Sequence, residues 1–92
     1  MLQTMQIKTD GTVTTVRPSG KFFKLEEMQH AVNGLIEPIY LPIHKAYMIV
    51  NEDGKIYNLP INAIATHIFQ AVHGKVDKIL GDVLIVQESE IN

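Results

Sequence analysis

The chain predicts an α+β fold: a mainly antiparallel sheet built from hairpins, with two helices packed on one face. Three observations carry this expectation. Two Asp-Gly turns, Lys8-Thr9-Asp10-Gly11-Thr12 and Asn51-Glu52-Asp53-Gly54-Lys55, each sit between strand-forming runs. Glycine accepts positive φ and aspartate tolerates it, so this pair favours the turn that matches the twist of paired strands. Two other segments place apolar residues at helical spacing, and each is followed by a glycine.

Taken in order, Met5–Lys8 and Thr12–Arg17 form the first hairpin, which Pro18-Ser19-Gly20 ends. Lys24–Asn33 is the first helix. Leu25, Met28 and Val32 line one face, Glu26 and Glu27 meet the positive end of its dipole, and Gly34 stops it. Leu35–Leu41 is a strand that Pro38 confines to a sheet edge or a bulge. Ala46–Asn51 is apolar almost throughout, as a strand buried on both faces or central in the sheet would be. The second Asp-Gly turn returns it as a strand over Lys55–Asn58. A second helix follows, reaching about His73, with Ile61, Ile64, Ile68 and Val72 as its stripe and Asn58 or Asn62 as its cap. Val76–Leu80 and Val83–Gln87 complete the sheet about Gly81-Asp82, and Glu88–Asn92 is a polar tail. The expected order is β-β-α-β-β-β-α-β-β, in one domain over residues 1–92.

Composition narrows the function. A chain of 92 residues buries only roughly 60–65% of its unfolded surface, so its core is thin. Yet 46% of its residues are apolar and none is cysteine. Self-association would use that surplus, which predicts a homo-oligomer. The net charge is −2, and the eight basic residues are scattered along the chain. No basic stripe exists to neutralise duplex nucleic acid. The first residues lack a charged head followed by an apolar run, and no stretch approaches the ~20 residues that span a bilayer. A cytoplasmic protein without membrane attachment is expected.

Reactive constellations are absent from the pattern. His30, His44, His67 and His73 never fall four apart on a helix, so no metal site is expected. Ser19 and Ser89 lie in turn and tail contexts without a nucleophile-elbow pattern. No phosphate-binding glycine motif occurs. The reading is therefore non-enzymatic, with no cofactor. Glu37, inside an apolar strand, either faces water or meets a ligand at an edge. The stretch Asn51–Thr66 is densest in groups that recognise small polar ligands: amides at Asn51 and Asn62, a charge at Lys55, a ring at Tyr57 and a hydroxyl at Thr66. The competing reading of the same residues is turn and capping chemistry.

Several stretches together resemble one group of proteins. They are Lys8–Val13, Leu25–Gln29 with Val32–Glu37, Val50–Lys55, Leu59–Asn62 with Ala65-Thr66, and Gly81–Val86. In this order they resemble a family of small proteins of unassigned function carried by phages and bacterial mobile elements. Members of what looks like this family, or of a near neighbour, act as viral sponges against CBASS defence. Those proteins hold cyclic dinucleotide signals as homo-oligomers without cutting them. The resemblance implies site residues at Glu37, Asn51, Lys55, Asn62 and Thr66, and a host-cell cytoplasmic location. The chain departs from the pattern at Lys24, where a capping serine is usual, and at Leu35, where an aromatic residue is usual.

Two non-enzymatic function classes follow, beside a third and disfavoured one, a hydrolase using Glu37 and a histidine. The first is a sponge that sequesters a cyclic dinucleotide or related nucleotide signal. The second is a phage accessory module that docks a host or phage protein through the Pro38 strand or the apolar surplus.

Overall fold

A computed structural model describes residues 2–92. The first Asp-Gly turn closes a hairpin of β1 (Met5–Ile7) and β2 (Val13–Thr15). Gly11 takes φ 91° there, and Asp10 accepts the Thr12 N–H at 2.9 Å. Hydrogen bonding from Thr12 holds the Asp10 carboxyl below its usual range.

Helix α1 (Leu25–Val32) starts on a carboxylate that reaches back along the chain. Glu27 accepts the Lys24 N–H at 3.0 Å and the Ser19 hydroxyl at 3.0 Å. Its stop comes one residue before the expected glycine: Asn33 takes the left-handed conformation at φ 63°. The chain then runs through β3 (Ile36–Leu41), a 3-10 turn at Pro42–His44, and β4 (Ala46–Asn51). Helix α2 (Ala63–His73) begins at the Asn62 cap, and β5 (Val83–Gln87) is the last strand. The five strands are antiparallel, in the order β2-β1-β5-β4-β3. This is the expected α+β class.

Three expectations are corrected. Lys55–Asn58 is not a strand. β4 already has β3 on one side and β5 on the other, so no free edge remains for a returning chain. Residues 52–58 instead coil through successive turns, with Tyr57 N–H on the Asp53 carbonyl at 3.0 Å and Leu59 N–H on that of Gly54 at 2.9 Å. Val76–Leu80 is not a strand either; Leu80 makes one isolated bridge to Ile61. The backbone of Ile79 is taken up by Asn62 and Thr66 rather than by a neighbouring strand.

The helices also lie on opposite faces of the sheet, not on one. Met48, Val50, Val83 and Ile85 pack with Ala65, Ile68 and Phe69 of α2. Ile49, Leu84 and Val86, pointing the other way by strand alternation, pack with Met28, Ala31 and Val32 of α1. β4 and β5 are apolar on both faces because each face is covered by a helix.

Candidate functional site

The loop between β4 and α2 has clefts on two flanks, one lined by lysines together with carboxylates and the other by carboxylates without lysine. Along one flank runs a cleft of about 500 Å³, bounded by this loop and the segment after α2. Lys55, Lys75 and Lys78 line it with Gln70 and Asp77. Lys55 donates to Asp77 at 2.6 Å across an exposed ion pair. That hydrogen bond holds the Asp77 carboxyl below its usual range. A second cleft of about 390 Å³ continues from the first, sharing Lys55, Asp77 and Lys78. Glu37, Asn51 and Ile56 are among its other lining residues.

Six residues were expected at a ligand site, and the structure brings three of them together. Glu37, exposed on the edge strand, Asn51 and Lys55 border the second cleft. Tyr57 projects from the opposite flank of the loop and is 68% exposed. Asn62, which is buried, and Thr66, which is half-buried, line neither lysine cleft.

The amides and the hydroxyl hold backbone. Asn51 Nδ2 donates to the Val32 carbonyl at 3.1 Å, while its Oδ1 accepts the Asp53 N–H at 2.8 Å. It thereby ties the end of α1 to the base of the loop. Asn62 is fully buried. Its Nδ2 donates to the Ile7 carbonyl at 2.9 Å and the Gly81 carbonyl at 3.0 Å, and its Oδ1 caps α2 at Ala65 N–H. Thr66 Oγ1 accepts the Ile79 N–H at 2.9 Å. These contacts shape the clefts by pinning the segments that form them: Asn51 anchors the loop, and Thr66 anchors the Lys75–Leu80 wall. Lys75 and Lys78 escaped the sequence reading because the basic residues are scattered along the chain and Lys78 falls within the expected strand Val76–Leu80. Their i, i+3 spacing beside Asp77 was the available signal.

The sheet edge at β3 is poorly suited to strand addition. Glu52 N–H bonds to the Leu35 carbonyl at 2.8 Å, which fixes the alternation along the β3–β4 ladder. Ile36, Pro38 and Tyr40 therefore turn their backbone groups to the open side. Pro38 has no N–H to offer, and the Tyr40 carbonyl is already met by the His73 ring at 2.9 Å.

No group of three or more histidine or carboxylate residues able to hold a metal ion occurs among the described residues. No helix among them is long and apolar enough to cross a membrane. A family model described as a domain of unknown function, DUF3846, matches residues 2–92. No curated protein and no solved structure matches the chain.

Proposed function

We propose that this chain, which belongs to the DUF3846 family, is a sponge that sequesters a cyclic dinucleotide or related nucleotide signal without hydrolysing it. In a phage-infected cell such a protein would sit in the host cytoplasm and blunt CBASS signalling. One observation carries the reading. Lys55, Lys75 and Lys78, three of the eight basic residues in a chain of net charge −2, converge on one cleft. Their side chains are suited to phosphate oxygens. The adjoining cleft offers Ile56, Ile39 and Leu80 as apolar surface for a base.

The rim supports a site completed by a second subunit. Ile56 is 80% exposed and Val76 76%, and both border the lysine clefts. A partner copy seated there would bury them and close a trough that is open on a single subunit. A two-fold arrangement would present matching lysines to the two phosphates of a cyclic dinucleotide. Sequestration asks nothing more of the chain than charge and shape.

Calorimetry against a panel of cyclic and linear dinucleotides tests this. Binding of a cyclic member is expected, with the recovered ligand intact on chromatography. Lys75→Ala and Lys78→Ala should each weaken it by roughly tenfold at low salt. Absence of heat across the whole panel would overturn the reading, as would recovery of a cleaved product.

A further inference from the structure

The flank of the loop away from the lysines has its own recognition chemistry. Tyr57 stands between two clefts of about 430 and 420 Å³ that share Asn33, Asn51 and the tyrosine itself. Asp53 lines one of them and Asp82 the other, and no lysine, arginine or histidine lines either. The ring is thus an exposed π-surface with a cleft to each side and a carboxylate in each.

Its support is stiff. Tyr57 N–H bonds to the Asp53 carbonyl at 3.0 Å, and Asn58 N–H to that of Lys55 at 3.1 Å. The Asn51 side chain, at the floor of both clefts, is pinned to the backbone of α1. Little conformational freedom is left to lose when a guest arrives.

We propose that Tyr57 is the receptor for an arginine side chain of a partner protein. Two carboxylates in clefts that no lysine, arginine or histidine lines select positive charge and repel phosphate. A ring with an open face favours a flat cation, which stacks, over a compact ammonium. Asp82 spends one oxygen on the Thr9 N–H at 2.9 Å, and the other is oriented by that bond. This site meets the lysine clefts only at Asn51 and Leu59 and does not rest on the nucleotide reading.

The test is an NMR titration of the full chain with N-acetyl-arginine amide, following the Tyr57 ring and the amides of Asp53 and Asp82. N-acetyl-lysine amide and N-acetyl-citrulline amide, the latter planar but uncharged, serve as comparisons. Saturable shifts are expected with the arginine compound, weaker ones with lysine and none with citrulline. Tyr57→Ala should weaken binding about two- to fivefold while Tyr57→Phe retains it. Asp53→Asn combined with Asp82→Asn should remove the preference for charge. The proposal fails if arginine produces no saturable shift at Tyr57, if citrulline matches it, or if adenosine monophosphate binds the ring more tightly. The variant lacking Lys55, Lys75 and Lys78 should titrate like the parent chain, which separates this result from any outcome at the lysine clefts.

Discussion

The amide of Asn51 fills the space that a side chain on Gly34 would need. A Cβ at residue 34 would stand 2.7 Å from Asn51 Nδ2, the atom that donates to the Val32 carbonyl. The end of α1, the start of β3 and the base of the loop after β4 therefore meet at one close approach. Gly34→Ala should expel the amide and leave polar groups of a buried contact unpaired, costing about 1–3 kcal/mol. A urea unfolding midpoint equal to that of the parent chain would show that the contact yields easily.

Asn62 is a heavier structural commitment. Its one amide satisfies two carbonyls and a helix N-terminus with no exposure to water. Asn62→Ala should cost roughly 2–4 kcal/mol through the lost cap and the orphaned carbonyls. Asn62→Asp should be worse, since it keeps the cap but sets a carboxylate against two carbonyl oxygens. Thermal melts of both variants check this order. A loss of ligand binding in either would accordingly report on folding.

Asp77 tempers the lysine cleft by pairing with Lys55. Asp77→Asn removes a negative charge and frees Lys55 to meet an anion. Affinity for a bound cyclic dinucleotide should rise about three- to tenfold at low ionic strength and fall back as salt is added. Isothermal titration at two salt concentrations measures this. A weaker complex would place the phosphates elsewhere.

Helix α1 should lose stability in acid. Glu27 is held below its ordinary range first by the Lys24 N–H, then by Ser19. Its folded value lies under its unfolded one, so its contribution is complete above the unfolded value and is lost as pH falls through the folded one. The dependence should appear in stability measured from neutral pH downward and should flatten in Glu27→Gln. An equally steep acid profile in that variant would assign the loss to other carboxylates.

Pro38 and His73 shield the open edge of β3. Replacing both, Pro38→Thr with His73→Ala, restores an N–H and frees the Tyr40 carbonyl. Concentration-dependent assembly beyond that of the parent chain is expected in sedimentation velocity. Unchanged assembly would mean that the edge is guarded by something other than these two residues.

Local signals in the chain were strong where a residue's job is done by its own neighbours. The Lys8–Thr12 turn and the apolar β4 were legible, and the helix cap was narrowed to Asn58 or Asn62 and Pro38 to an edge or a bulge. Each depends on covalent geometry or on a pattern within a few residues. At the candidate site, Lys55 and Glu37 were legible as polar residues singled out by type and place, and the structure sets them on one cleft with Asn51. The partners of the amides were not legible, because Asn51 reaches 19 positions back and Asn62 reaches 55.

By itself the sequence determined the first hairpin, the two helices and the apolar strands β4 and β5, since those preferences arise from φ limits and hydrophobic period. Tertiary structure decided what the second Asp-Gly pair becomes. β5 crosses the length of the chain to pair with both β1 and β4, and in doing so it takes the edge that a hairpin return would have used. The displaced segment coils outward, places Lys55 on one flank beside Lys75 and Lys78 of the segment after α2 and Tyr57 on the other, and so makes the surface on which function is proposed.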